Sequence, residues 1–426
     1  MKIQVIIEKT RFILLLQSLR VLFLIFWSDD MHISGIIAEY NPFHNGHAYQ
    51  IDTARALGAT HIVAVLGGAF TQRGECAAVD KFVRARAALL GGADLVIELP
   101  LPYAVSSAER FAFGGISLLD ALGCVNTLVF GSESADISLL TQAAKALDDT
   151  SFPAALKEHL RHGLVFPKAR QLALAQTAGA NCAALLSQPN NILGIEYIKW
   201  LLRKNSAITP VAIARTGAHH GSDVTSDDIA SASLIRKRMH AGQVWQTYVP
   251  AQAAVLYADE LAKGHAPYSL VPLERAILAR LRIIRREELL SLPDVTEGLE
   301  GRILKAVHTA QSLDELYGLI KTKRYTLSRI RRIVLCAYLG ITSELQRTDP
   351  PYLRILGFNE RGREILSRAK DTVALPMQTG LARCAKVSDA AARFAGLEAG
   401  ATDLFGLCSP QIRPCGLDFT AKPVII

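Results

Sequence analysis

Two histidines three residues apart, in the string His44-Asn45-Gly46-His47, are the side chains of this 426-residue chain best placed to do chemistry. They follow an apolar run from Ile33 to Tyr40 and precede a stretch with Ala48, Ile51, Ala54 and Ala56 among its small or apolar positions. A strand that turns directly into a helix leaves free N–H groups and the positive end of the helix dipole at the turn, which suits an anion. Gly46 allows a phosphate to approach the backbone closely, and residues three apart on a helix share a face. Both imidazoles can then donate to one phosphate. Donors fixed where charge develops on a transferring phosphoryl group lower its barrier electrostatically, with little need for an acid or base. A bare four-residue string would also suit an ordinary helix start, but its place after the first strand of a βαβ unit favours nucleotide binding. Zinc fits less well, since histidine pairs for zinc prefer i, i+4 spacing and a third ligand. No side chain is assigned to a metal.

A second group is Ser231-Ala232-Ser233-Leu234-Ile235-Arg236, whose hydroxyls and guanidinium fork suit phosphate oxygens. A serine N-cap running into a basic helix gives the same string. The third is Lys321, Lys323, Arg324, Tyr325, Arg329, Arg331 and Arg332, with Arg280, Arg282, Arg285 and Arg286 a second basic group in the same half of the chain. Such a cluster neutralises nucleic-acid phosphates, and Tyr325 could stack on an unpaired base. A solvated basic helix is the plain alternative. Glu98 at a strand end reads as a structural acid and Asp80 as a helix cap. The turn Gln72-Arg73-Gly74 reads equally as a contact to substrate or as an ordinary loop.

Short apolar runs alternate with helical stretches from Ile33 to about residue 215. Runs 33–40, 60–68, 93–100, 125–131 and 209–215 read as strands; those at 60–68 and 93–100 are continuously apolar, as strands buried on both faces should be. This pattern predicts an α/β fold with a Rossmann-like, open, mostly parallel sheet over residues 31–245. After about 246 the strand runs disappear and helical periodicity dominates, which predicts a mainly α-helical second domain, 246–426, with an irregular tail from 406. Half the residues are apolar and a fifth charged, an ordinary globular composition. The net charge of +8 falls mostly in the second half, as a polyanionic partner there would require. Seven scattered cysteines with no C-x-x-C pair read as reduced thiols of a cytoplasmic protein. Phe12 to Trp27 is apolar but short for a span and is broken by Gln17 and Arg20. Residues 1–30 read as an over-extended start before Met31, with a membrane anchor as the alternative.

The runs GIIAEYNPFHNGHAYQI (35–51), GGAFTQRGE (67–75), DLVIELP (94–100), FGSE (130–133), PNNILGIEY (189–197) and KTKRYTLSRIRR (321–332) occur in one order over about 300 residues. Together they resemble the tRNA(Met) cytidine acetate ligase family, itself similar to adenylyltransferases of the HxGH superfamily. The resemblance implies an enzyme that makes acetyl-adenylate from acetate and ATP. It then passes the acetyl group to the wobble cytidine of elongator tRNA(Met), with magnesium accompanying ATP. It implies an ATP-binding loop of Ile37, Ala38, Glu39, Tyr40, Asn41, Pro42, Phe43, His44, Asn45, Gly46, His47, Ala48, Tyr49 and Gln50. Gly131, Asn191 or its neighbour Asn190, and Arg215 would complete that site, while Ser231, Ser233 and Arg236 would close over the triphosphate. The loop after Arg215 departs from the family pattern by carrying His219 and His220, which leaves the acceptor end of the pocket open. Two rivals remain: an adenylyltransferase for a small phosphorylated substrate, and a non-catalytic RNA-binding protein with a relic nucleotide site.

Overall fold

Five apolar runs become five parallel strands: β1 (Ile33–Ala38), β2 (His61–Gly67), β3 (Leu95–Leu99), β4 (Thr127–Ser132) and β5 (Thr209–Ala214). The computed structural model describes residues 31–215, 229–296 and 298–426. The leader 1–30 and the histidine loop around His219 and His220 lie outside these residues. Strands β2 and β3 are buried along their whole length, as their unbroken apolar runs require. Their spatial order is β5-β4-β1-β2-β3. The chain therefore builds outward from β1 on one side, then crosses back to place β4 and β5 on the other. Such a reversal opens a crevice at the carboxyl ends of β1 and β4, the preferred place for a ligand in an open α/β sheet.

Helices cover the sheet: α1 (Asn45–Ala56), α2 (Lys81–Leu90), α3 (Ala108–Leu122) and α4 (Pro189–Arg203). Asp80 caps α2 by accepting from Phe82 N at 2.8 Å. Helix α5 (Ala232–His240) follows, then α6 (Ala251–Ala262). Next, α7 (Glu274–Arg282), α8 (Leu299–Thr309), α9 (Leu313–Ile320) and α10 (Leu327–Leu339) close around Ile277, Leu281, Ile303, Leu316, Ile330 and Ile333. Among the described residues no helix is long and apolar enough to cross a membrane.

The chain then returns to the sheet, contrary to the expectation that strands end near 246. β6 (Leu353–Phe358) lies antiparallel on β3, and β7 (Met377–Gln378) and β8 (Val424–Ile425) both pair with β6. Residues Ile33–Ile426 accordingly form one compact unit, and no boundary at 245 divides them. A six-residue, mostly apolar run followed by a helix is too short for periodicity to tell strand from helix, so LRILGF was illegible as a strand of this sheet.

A buried ionic cluster holds this return in place. Lys81 Nζ of α2 lies 2.5 Å from Glu98 Oε1 in β3, 2.7 Å from Asp418 Oδ2 and 3.3 Å from Glu398 Oε1. Arg354 of β6 pairs with Glu98 at 2.9 Å and with Asp418 at 2.6 Å. Glu398 stands on α11 (Asp389–Gly406) and Asp418 on α12 (Leu417–Thr420), so the tail expected to be irregular is anchored in the interior. Burial, then the charge of Glu98, drives the Glu398 carboxyl well above the usual carboxylate range. With Glu398 protonated, two cations face two carboxylates and the cluster is neutral. Charges out of water need such balance.

Candidate active site at the carboxyl ends of β1 and β4

His44 is the N-cap of α1, and the two histidines close a reciprocal capping box. Gly46 N donates to His44 Nδ1 at 3.0 Å, and His44 N donates to His47 Nδ1 at 3.3 Å. Because each Nδ1 accepts, each ring carries its proton on Nε2 when neutral. The rings stack, with centroids 3.8 Å apart and planes 21° from parallel. Burial first, then the charges of Arg215 and Arg236, drive the His44 pKa down to about 3. Burial, the neighbouring His44 and Arg215 likewise hold His47 well below its ordinary value. Two neutral N–H donors thus stand side by side at a helix N-terminus. No described residue takes up either Nε2–H.

The surrounding loop is built to keep those rings in place. Tyr40, in the left-handed region at φ 44°, packs its ring against His47 at 4.8 Å and Phe43 at 4.9 Å. Asn41 Oδ1 accepts from Ala78 N at 2.7 Å, and Phe43 N donates to Tyr257 Oη of α6 at 3.1 Å. Asn45 Nδ2 donates to Thr247 O at 3.1 Å, and Gln50 Nε2 to Val129 O of β4 at 3.1 Å. Ile37 and Ala38 end β1 half-buried, Pro42 and Phe43 are buried, and Tyr49 is exposed beyond half-buried Ala48. A side chain on Gly46 would place its Cβ 2.9 Å from His44 Cε1, so this position is glycine for the imidazole's sake as well as for a ligand's.

Two cation-bearing segments reach the histidines. Arg215, at the end of β5, lies against Gly131, where an added Cβ would meet its Cγ at 3.3 Å. Arg215 Nη1 donates to Asn190 Oδ1 at 3.1 Å, and Asn190 Nδ2 donates to Glu133 Oε1 at 2.6 Å. Asn191 is buried and differently engaged: its Oδ1 accepts from Ser132 Oγ at 2.7 Å and Ser134 N at 3.0 Å. Of the two asparagines, Asn190 is the one beside the arginine. On α5, Ser231 Oγ accepts from Leu234 N at 3.2 Å, which is a helix cap, and Ser233 is exposed. Arg236 reaches back to donate from Nη1 to Asn41 O at 2.8 Å.

Sequence reasoning missed the support beneath the site. Arg84 of α2 is fully buried and, among the described residues, pairs with no carboxylate. It donates instead to four carbonyls: Val79 at 2.8 Å, Glu39 at 2.6 Å, Gly67 at 2.9 Å, and Gly68. It thereby ties the ends of β1 and β2 together just before the histidine turn. Glu39 Oε1 also accepts from Gln72 N at 2.7 Å, which hangs the 71–76 turn from β1. The GGAFTQRGE run signalled that this turn matters but not how.

The basic segment divides. Lys321, Lys323 and Arg324 are exposed. Tyr325 is 7 % exposed within the helical core, which corrects its expected role as a stacking platform: an apolar ring beside Ile320 and Ile330 buries before it waits for a base. Arg329 donates to Asp294 O at 2.7 Å and Thr296 Oγ1 at 2.8 Å, and Arg332 pairs with Asp294 at 3.1 Å. Arg331 pairs with Glu75. Of the earlier arginines, Arg280 pairs with Glu288 and Arg286 with Glu300.

The charged groups acting on the two imidazoles are guanidinium groups, a poor cage for a divalent metal. Among the described residues the acidic group close enough to hold one is Glu98, Glu398 and Asp418, and Lys81 and Arg354 already fill it.

The profile of the HIGH Nucleotidyl Transferase family matches residues 31–416. The tRNA(Met) cytidine acetate ligase of Caldicellulosiruptor saccharolyticus is 42 % identical over 349 residues, covering 80 % of this chain and 86 % of that protein. The ligase of the same name from Acetivibrio thermocellus is 38 % identical over 415 residues, covering 93 % and 100 %. Among solved structures, Thermotoga maritima TmcAL superposes with a TM-score of 0.88 at 34 % identity, covering 93 % of this chain and all of that one. The same protein bound with alpha-thio ATP superposes at 0.86 and 33 % identity over the same shares. By sequence and by fold the chain belongs to the HIGH nucleotidyltransferase family and, within it, to the tRNA(Met) cytidine acetate ligases.

Proposed function

We propose that this chain joins acetate to the exocyclic amine of the wobble cytidine of elongator tRNA(Met), using ATP. The supporting observation is the stacked pair of neutral imidazoles at the start of α1, with the charges of Arg215 and Arg236 acting on it. An acetate oxygen attacks the α-phosphorus of ATP, the bond to the β-phosphate oxygen breaks, and pyrophosphate leaves. The Nε2–H groups of His44 and His47 donate to the α-phosphoryl oxygens as their charge grows, and Arg215 and Arg236 neutralise the phosphates. Being neutral beforehand, the imidazoles need lose no proton to act. Magnesium, when present, arrives with the triphosphate. The cytidine amine then attacks the acetyl carbonyl, the acyl–phosphate bond breaks, AMP departs and the amine proton passes to solvent. Lys321, Lys323 and Arg324 offer the RNA a basic face, which Arg329, Arg331 and Arg332 extend.

Mass spectrometry of tRNA nucleosides after incubation with protein, ATP and labelled acetate tests this reading. Labelled acetylcytidine is expected from the wild type, with at least a hundredfold less from His47→Ala. Adenylylation of a small phosphate compound, or no product from any substrate, would sink it.

A further inference from the structure

Glu75 stands where the two basic groups of the molecule meet. Its Oε1 accepts from Arg331 Nη1 on α10, and its Oε2 lies 3.7 Å from Arg236 Nη2 on α5. The carboxylate cannot follow either cation far, because its turn is fastened at both ends. Gln72 N is held by Glu39 at 2.7 Å, and Gln72 O accepts from Arg332 Nη1 at 3.2 Å. Glu75 O accepts from Thr71 N at 2.9 Å. Gly74, at φ +71°, presses flat on α10, where an added Cβ would come within 2.6 Å of the Arg331–Arg332 peptide. One fixed carboxylate thus serves as counter-ion to an arginine beside the histidines and to an arginine of the basic segment.

We propose that Glu75 is a positioning residue that sets triphosphate and RNA against each other, so that the tRNA docks tightly only once pyrophosphate has gone. The inference rests on the function proposed above, in which Arg236 meets the triphosphate and Arg331 faces the RNA. A triphosphate that draws Arg236 leaves Glu75 with Arg331. An RNA phosphate that draws Arg331 leaves it with Arg236. When both are bound, the carboxylate loses both partners and stands bare between two polyanions. Each ligand therefore weakens the other, and by linkage to the same degree. AMP, which lacks the outer phosphates, makes no such demand on Arg236. The order protects the chemistry, because the RNA closes on an adenylate already formed rather than on ATP.

The test is tRNA affinity measured with saturating ATP, acetate omitted, against saturating AMP, for wild type and Glu75→Gln. Glutamine keeps the size of the side chain and the turn's backbone bonds. In the wild type the tRNA Kd is expected to be about tenfold weaker with ATP than with AMP, within the usual span of coupling between sites. The ATP Kd should weaken by the same factor when tRNA is present. In Glu75→Gln both differences should fall below twofold. Equal affinities in a wild type that binds both ligands and acetylates tRNA would overturn the inference alone. So would a Glu75→Gln protein that keeps the full difference. A wild type that binds neither ligand would overturn the proposed function and the inference together.

Discussion

An imidazole that must donate at neutral pH can be prepared in two ways: hold it charged, or hold it neutral in the right tautomer. This site does the second. The backbone N–H groups of His44 and Gly46 occupy the two Nδ1 atoms, and burial with two nearby guanidinium groups keeps protons from adding. That arrangement carries a pH signature. Above the ordinary histidine value of 6.5, folded and unfolded chains are both neutral at position 44. Below it the unfolded chain takes up a proton that the folded one refuses until about pH 3, so stability falls as pH falls across that interval. At pH 5.5 the loss from one such histidine is about 1.4 kcal/mol. Thermal melts of the ligand-free protein at pH 7.5 and 5.5 should therefore differ less in His44→Gln than in wild type. An identical difference in the two would show that the ring is already charged in the fold.

Helix α1 separates what a cap does for stability from what it does for chemistry. Gly46→Ala gains helix propensity of roughly 0.8–1 kcal/mol and loses a cap of similar size, because the new methyl displaces the His44 ring. Stability should stay within about 1 kcal/mol of wild type while acetylcytidine formation falls at least tenfold. Chemical denaturation beside the nucleoside assay reads both, and full activity would show that His44 need not sit where the cap puts it. Elements of this kind were legible from sequence. The five parallel strands fall within two residues or so of their apolar runs. The histidine pair was legible because its partners are its own neighbours. Arg84 and Glu75 were not, since one bonds to main-chain carbonyls that have no letter in a sequence and the other to arginines distant in the chain. Tyr325 was misleading because a lone aromatic among cations looks exposed whether or not the fold buries it.

At the scale of the molecule, the sheet and the far end of the chain are held together through charge as much as through apolar packing. Removing one partner from a balanced buried cluster strands the rest. Asp418→Asn leaves Lys81 and Arg354 facing a single carboxylate, so a loss of about 3–5 kcal/mol is expected. Asp418→Asn with Arg354→Met should recover part of it by restoring neutrality. Urea unfolding of the two variants checks this, and a single variant as stable as wild type would show the cluster to be incidental.

The antiparallel strand at 353–358 also has a bearing on synthesis. Until the ribosome has released it, β3 presents an open row of amide and carbonyl groups to solvent, with Glu98 still awaiting Arg354. At roughly 5–20 residues added per second, that exposed margin persists for many seconds during translation. A gene truncated after the histidine-bearing half should therefore yield a sticky, chaperone-dependent fragment rather than a free-standing nucleotide binder.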